Sequence, residues 1–204
     1  ERFWNGSTGW MYVVTDEARW RLVNGTATWV YPKTPDSFPS LQSGTNYRVY
    51  YRVRDRAGNQ TASTVFNTFL YDTQIPTVTL SSPLTSGTTM IKFLTMLSGT
   101  AQDSDGGALL DATTEEARIE EIQLSIQDLT TAGNPYWKAA NRTWTDVEGQ
   151  VWNSTTAVAF TGNDQPRFAD PWQFTGSTPS WASGKTYRIE TRVIDRAHNI
   201  SQAL

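Results

Sequence analysis

Cysteine is absent from this chain of 204 residues, and histidine occurs once, as His198. Without thiols the chain has neither a disulfide framework nor a cysteine nucleophile. The single histidine lies in a predicted turn, so we expect neither a Ser-His-Asp triad nor a zinc site. The paired carboxylates Glu115-Glu116 and Glu120-Glu121 are adjacent in sequence and point to different sides. We therefore expect no enzymatic activity and no cofactor other than a calcium ion.

Two further absences narrow the class of partner. The formal net charge is −3, so no basic excess is available to neutralise a phosphate backbone, and we expect no nucleic-acid partner. No run of about 18 apolar residues occurs, so the sequence predicts no membrane-spanning segment. The chain begins at Glu1 without an initiator methionine or a signal-like segment, which favours an internal or processed fragment.

The residues that are abundant favour strands. Aromatic residues make up 12 % of the chain, and tryptophan alone occurs nine times. Typical helix formers are comparatively sparse. The segment Thr113–Glu121 is the one short stretch whose composition suits a helix. The sequence thus predicts an all-β fold.

An internal repeat organises the chain. The segment Ser43–Thr61 matches Ser183–Ser201 at a constant offset of 140 residues, with ten identities in nineteen positions and no gap. Weaker parallels continue upstream, where the pair Trp4 and Trp10 corresponds to Trp137 and Trp144. The repeat indicates tandem domains, which we call the first and second copies.

The boundary between the copies is predicted near Thr73–Pro76. Pro76 cannot donate a hydrogen bond to a strand ladder, and it forces the preceding residue into an extended conformation. The predicted domains are therefore residues 1–74, the C-terminal half of one repeat, and residues 75–204, a second repeat.

Alternation of apolar and polar residues predicts the strands. Tyr47, Val49, Tyr51 and Val53 alternate with arginines and a tyrosine, which indicates one buried face. The second copy repeats this pattern from Tyr187 to Ile194. Further strands are predicted at Ser63–Tyr71, Thr77–Leu80, Met90–Gly99, Ile119–Leu129, Ala157–Phe160 and Trp172–Phe174, with a hairpin at Asn134–Trp144. Several short strands separated by turn residues predict a β-sandwich.

Two structural motifs accompany the repeated strand. Tyr47 and Tyr187 each follow a glycine by three residues, a spacing that resembles the tyrosine corner of immunoglobulin-like and fibronectin type III sandwiches. Each strand then ends in a turn, Asp55 to Asn59 and Asp195 to Asn199. Aspartate caps turn amides, and Gly and Asn tolerate a positive φ, so both segments are predicted hairpin tips. His198 stands where the first copy has glycine.

These residues together resemble the sequence pattern of a known group of repeat domains. The pattern of Trp, Leu-x-x-Gly-x-x-Tyr-x-Val, Asp-x-Ala-Gly-Asn and Asp-Thr followed by Pro resembles tandem bacterial immunoglobulin-like or fibronectin type III-like repeats of large surface or secreted proteins. The resemblance implies tandem immunoglobulin-like β-sandwiches, the first incomplete at its N-terminal side. It also implies a structural or adhesive role in an extracellular, surface or filament-forming protein. The alternative is a carbohydrate- or receptor-binding module attached to a secreted protein or enzyme.

Some repeats of this kind bind calcium between domains. In this chain the acidic loop after residue 102 contains Asp103, Asp105 and, further on, Asp111. Calcium is coordinated by six to eight oxygen ligands, and Asp-x-Asp-Gly is a common start of such a site. The closing glutamate of an EF-hand is missing. The three aspartates are therefore the candidate calcium ligands, with a solvated turn as the alternative.

Four tryptophans are candidate interface or glycan-stacking residues: Trp4, Trp10, Trp137 and Trp144. They flank turns rich in Asn and Gly, where partial exposure is expected, and exposed aromatic residues are enriched at protein interfaces. The tryptophans at the other repeated positions, Trp20, Trp29, Trp152 and Trp172, are expected in the core.

The first copy lacks counterparts of the strands predicted before residue 134 of the second. A half-sandwich would expose the apolar face of Tyr47, Val49, Tyr51 and Val53. We expect neighbouring copies or flanking repeats of the same protein to cover it, through an interface along residues 1–72.

Overall fold

The computed structural model describes residues 1–12, 15–61, 65–83, 90–103, 119–147, 149–154, 158–160, 170–174 and 176–203. Within that part of the chain the protein is all-β, with 42 % of residues in strands. The chain divides into two compact units, Glu1–Gln42 and Ser43–Leu204. This division does not test the predicted domain boundary near residue 74, which stays a prediction.

The first unit is built around a short hairpin. Its strands are β1 (Phe3–Trp4) and β2 (Trp10–Met11), which pair antiparallel with Trp4 opposite Trp10. A 3₁₀ helix, Asp16–Arg19, follows. Asn5 holds the turn of the hairpin, because its Oδ1 accepts hydrogen bonds from the backbone N–H groups of Ser7, Thr8 and Gly9.

Among its described residues, the second unit contains three sheets. A ribbon joins β3 (Thr45–Tyr51) to β4 (Val65–Tyr71). A four-stranded sheet has the order β10-β11-β6-β5, and its strands are β5 (Thr77–Ser82), β6 (Ser98–Gln102), β10 (Val158–Phe160) and β11 (Asp170–Phe174). A five-stranded sheet has the order β13-β12-β7-β8-β9, with β7 (Ile119–Asp128), β8 (Tyr136–Lys138), β9 (Thr143–Thr145), β12 (Tyr187–Asp195) and β13 (Ile200–Ala203).

One hydrophobic core draws on both larger sheets. β7 alone contributes Ile122, Leu124 and Ile126, none of which has any exposed surface. These side chains alternate with polar ones along the strand, so one face of the five-stranded sheet is apolar. The rest of the cluster is Val78, Leu80, Leu97, Ala101, Trp137, Trp172, Phe174 and Val193.

The repeated sequence forms the same local structure twice. In the first copy β3 and β4 pair antiparallel across the Asp55–Asn59 turn, and in the second β12 and β13 pair antiparallel across the Asp195–Asn199 turn. His198 adopts a φ of 65°, and the corresponding Gly58 a φ of 93°. The histidine therefore takes the left-handed conformation that the pattern predicts for this position.

Two local predictions need correction. The strand predicted at Met90–Gly99 is wrong, since β6 begins only at Ser98. The apolar residues before β6 are divided between core and surface, since Leu97 is fully buried and Leu94 packs on the core, while Met90 is 97 % exposed. The short helix suggested for Thr113–Glu121 is also wrong at Ile119–Glu121, which open β7, and the residues before Ile119 lie outside those described.

Among the described residues, none lies in a helix long and apolar enough to cross a membrane.

Candidate metal centre

The turn at the end of β12 fixes a buried carboxylate. Asp195 accepts hydrogen bonds from the backbone N–H and the side-chain amide of Asn199, both at 2.8 Å. The backbone closes the same turn, because His198 N donates to Asp195 O at 3.0 Å. The Asp195 side chain is thereby held at the tip of the ribbon, and the residue is 1 % exposed.

The first copy contains the same arrangement. Asn59 donates from its backbone N–H and from Nδ2 to the two carboxylate oxygens of Asp55, again at 2.8 Å each. The side-chain and then the backbone hydrogen bond from Asn59 lower the pKa of Asp55. The repeated sequence therefore specifies a repeated hydrogen-bond network and not only a repeated strand.

Asp72 follows the last residue of β4. Its Oδ1 accepts a hydrogen bond of 2.9 Å from Gln74 N, and its backbone carbonyl accepts one of 3.4 Å from Nδ2 of Asn199. The second contact links the end of the first copy to the Asp195–Asn199 turn of the second.

Asp103 completes a group of three carboxylates. It lies directly after β6 and is 2 % exposed. One carboxylate oxygen from each of Asp72, Asp103 and Asp195 lies within 4.8 Å of the other two. Each aspartate stands just after a strand or at the end of one. Three segments that are far apart in sequence therefore meet at one end of the unit.

This arrangement is suited to a hard divalent cation. Two full negative charges about 4 Å apart repel by about 4 kcal/mol at an effective dielectric constant near 20. A cation bound between them offsets that repulsion. The donor atoms are all oxygens, which favours Ca²⁺ or Mg²⁺ over zinc or copper. Asp72 is the partly exposed member of the three, whereas Asp103 and Asp195 are buried.

The sequence anticipated one of the three residues. Asp103 was a candidate calcium ligand, and it is part of the cluster. The other two candidates, Asp105 and Asp111, lie outside the described residues. Asp72 and Asp195 were missed as ligands, although the Asp-x-Ala-x-Asn motif and the Asp-Thr pair before Pro76 marked both positions.

Of the two tyrosines of the predicted corner motif, Tyr187 is the first residue of β12 and Tyr47 is the third residue of β3. Tyr187 accepts a hydrogen bond of 3.1 Å through its hydroxyl oxygen from Ala182 N, five residues upstream. Its ring also stacks on Trp144, with centroids 5.8 Å apart. Tyr47 stacks on Phe69 across the β3–β4 ribbon at 5.6 Å.

The four candidate tryptophans form two pairs with matching geometry. The rings of Trp4 and Trp10 are 5.9 Å apart at 61°, and those of Trp137 and Trp144 are 5.4 Å apart at 63°. The indole N–H of Trp4 donates to Ser37 O at 2.8 Å, and that of Trp137 donates to Ser177 O at 2.6 Å.

The pairs differ in exposure. Trp137 is 6 % exposed and belongs to the core, so the expected partial exposure is wrong for this residue. Trp144 packs against the same core, while Trp10 is 38 % exposed. The core prediction for the other tryptophans is right for Trp172, at 1 % exposed, and wrong for Trp29, at 49 %.

Two buried polar residues were missed by the sequence reasoning. Asn153 donates through Nδ2 to the carbonyl oxygens of Leu124 and Trp137, and its Oδ1 accepts from Ala139 N. It thereby bridges β7 and β8. The one sequence feature at this position is an asparagine that follows a tryptophan. Because asparagine is also common in turns, this feature does not predict a buried bridging residue.

Asp128 is the second missed residue. It is 1 % exposed and receives a hydrogen bond of 2.6 Å from Lys185 Nζ, with others from Thr130 and Thr131. Burial by itself raises the pKa of Asp128, but the hydrogen bonds from Lys185, Thr131 and the backbone outweigh it and hold the pKa well below its usual value.

Comparison with known proteins gave no match to a protein family, a curated protein or a solved structure.

Proposed function

We propose that this chain is a structural or adhesive repeat segment of a large extracellular or cell-surface protein, built from tandem immunoglobulin-like β-sandwiches and without enzymatic activity. The observation that carries the proposal is the duplicated strand-turn-strand unit. In both turns, Asp55–Asn59 and Asp195–Asn199, the asparagine donates two hydrogen bonds of equal length to the aspartate carboxylate.

A second duplication supports tandem repetition. The hairpins β1–β2 and β8–β9 each carry an edge-to-face tryptophan pair, and each pair is anchored by one indole N–H on a serine carbonyl. Tandem repeat arrays commonly have a structural function, because each added repeat lengthens the array by a fixed step.

The placement of the carboxylate cluster fits such a role. Asp72 ends the first copy, whereas Asp103 and Asp195 belong to the second. A cation held by these three residues would join the two copies and restrain the angle between them. A restrained junction is what a stalk or filament needs in order to stay extended.

The location and the role are tested on the organism that makes the protein. Antibodies raised against residues 1–204 are expected to label intact cells or shed filaments without permeabilisation. Brief protease treatment of intact cells should remove the label. An antibody against a cytoplasmic marker, applied to the same cells, is the control. Label that appears only after permeabilisation would contradict an extracellular role.

One observation favours a second candidate function, carbohydrate binding by the first unit. A cleft of about 380 Å³ is lined there by Trp20, Arg21, Lys33 and Asp36, together with Leu22, Thr34 and Pro35. Indole rings stack on sugar faces, and charged groups hydrogen-bond to hydroxyls. On a glycan array, binding that is lost in Trp20→Ala and kept in the control Trp144→Ala would favour this function. An array without signal would count against it.

A further inference from the structure

The β3–β4 ribbon has an outer edge along β4. Among the described residues β4 pairs with β3 alone, so no described strand lies on its other side. The carbonyl of Tyr71 points toward β3, because it accepts a hydrogen bond of 2.9 Å from Gly44 N, directly before that strand. Successive residues of a strand direct their backbone groups to alternate sides. The N–H and C=O groups that point away from β3 are therefore those of Phe66, Thr68 and Leu70.

The residues along this edge are exposed and uncharged. Every residue of β4 from Val65 to Phe69 is exposed, and Phe66 is 47 % exposed. The strand has the sequence VFNTFLY, which contains neither a charged residue nor a proline. Charged side chains and prolines are devices that keep an edge strand from pairing with another chain. Because β4 has neither, its outer edge is suited to accept a further strand.

The sequence of β4 is complementary to itself in one antiparallel register. When two copies of β4 overlap over all seven residues, Thr68 lies opposite Thr68 of the second copy. Phe66 then lies beside Leu70 of the second copy on one face, and Val65 lies beside Tyr71 of the second copy on the other. Thr–Thr pairs and pairs of an aromatic with a β-branched residue stabilise a sheet. In this register the outward backbone groups of the two strands also face each other, and each such pair exchanges two hydrogen bonds.

We propose that two copies of this chain associate through the outer edges of β4, antiparallel and centred on Thr68. The two ribbons then form one four-stranded sheet with the order β3-β4-β4-β3, related by a twofold axis. Such a contact places like residues near each other at its centre, and the absence of charge in β4 means that no like charges are opposed. The dimer is independent of the proposed function, because the edge belongs to the ribbon wherever the protein is located.

Sedimentation velocity on the full chain of 204 residues measures the association, and a concentration-dependent dimer is expected. Thr68→Lys should raise the dissociation constant of the dimer at least about tenfold, because it places two lysines directly opposite each other. Thr68→Glu should do the same. An equimolar mixture of the two variants should dimerise again, since opposite charges then face each other. The control Thr61→Lys, at an exposed position outside β4, should dimerise as the parent does.

Disulfide trapping tests the register, and the chain has no cysteine of its own to compete. The Cα atoms of two directly opposite, hydrogen-bonded residues are about 5.5 Å apart, within disulfide reach. Thr68→Cys should therefore form a cross-linked dimer under mild oxidation. In the control Val65→Cys the two cysteines are about 20 Å apart along the strands, so this variant should give no cross-linked dimer on a non-reducing gel.

Three outcomes would overturn the dimer. They are a parent chain that sediments as a monomer at every concentration, a Thr68→Lys variant that dimerises as tightly as the parent, and equal cross-linking of the two cysteine variants. Circular dichroism of each variant checks that the strand content is kept. A mixture of Thr68→Lys and Thr68→Glu that stays monomeric although both variants are folded would also overturn it. None of these outcomes changes the cell-labelling result, so the dimer and the proposed function are judged separately.

Discussion

The side-chain amide of Asn199 donates a hydrogen bond of 3.4 Å to the backbone carbonyl oxygen of Asp72, a residue 127 positions earlier in the chain. The same nitrogen lies 2.8 Å from Oδ2 of Asp195. One asparagine thus fixes both the carboxylate at the ribbon tip and the segment that leaves β4. Asn199 thereby links two members of the cluster, Asp72 and Asp195.

Calcium should raise the melting temperature of the chain, because a ligand that binds only the folded state stabilises it. At a concentration 100 times its dissociation constant, the gain is about 2.7 kcal/mol. Asp103→Asn should abolish the calcium response. In EDTA the same variant should melt no lower than the parent, since it removes one of the repelling charges. Differential scanning calorimetry with calcium and with EDTA measures both effects.

Asp146→Asn is the matched control for this experiment, as it removes an exposed carboxylate of the same unit. It should keep the full calcium response. A melting curve that does not move at millimolar calcium, or an undiminished shift in Asp103→Asn, would rule out the cluster as a calcium site.

Asn153→Ala should destabilise the second unit by roughly 1–3 kcal/mol, the cost of leaving buried polar groups without partners. The variant removes the donor to Leu124 O and Trp137 O and the acceptor for Ala139 N. Denaturant titration followed by tryptophan fluorescence measures the loss. Ser180→Ala, at an exposed position of the same unit, is the control and should change stability by less than about 0.5 kcal/mol. Equal midpoints for the two variants would contradict the bridging role.

Acid should destabilise the protein through Asp128. Its pKa is lowered from 3.8 on folding, so its contribution is fully present above about pH 4 and is lost as the pH falls through the folded-state value. Asp128→Asn should therefore cost stability at pH 7 and flatten the decline between pH 5 and pH 2. Unfolding free energies of parent and variant across this range test the sign. A variant whose pH profile parallels that of the parent would contradict it.

Gly99→Ala should be strongly destabilising, at or above the roughly 1–3 kcal/mol typical of overpacked cores. A Cβ at this position would lie 1.8 Å from Thr79 O and 2.8 Å from a ring carbon of Trp172. Both are rigid neighbours in the four-stranded sheet. The control is Gly9→Ala, where no atom lies within 4 Å of the added carbon. Similar denaturation midpoints for the two variants would show that the sheet tolerates the added methyl.

Much of the strand pattern followed from the sequence, because period-two alternation is a local signal. β7 and β12 were predicted within one or two residues of their observed bounds. The failure at Met90–Gly99 has a physical reason. Leu94 and Leu97 are apolar because they pack on the core from an irregular segment, and composition alone does not separate that use from a strand.

The candidate site was only partly accessible from the sequence. Asp103 stood out because it opens an acidic loop, which is a local signal for calcium. Asp195 had an equally plain explanation as a turn cap, and it does cap the turn. Asp195 lies close to Asp103 because the ends of two different sheets meet. The spacing of residues in the sequence does not predict that contact.

By itself the sequence determined the all-β character, the repeat with its 140-residue offset and the Asp-to-Asn turns. These properties depend on residues close together in the chain, where backbone conformation and side-chain alternation act. Tertiary structure alone decided that Asp72, Asp103 and Asp195 lie together, and that Val53 is exposed while Val193 is buried. The reason is that long-range strand pairing sets which ends converge and which faces are covered, so two nearly identical segments acquire different surroundings.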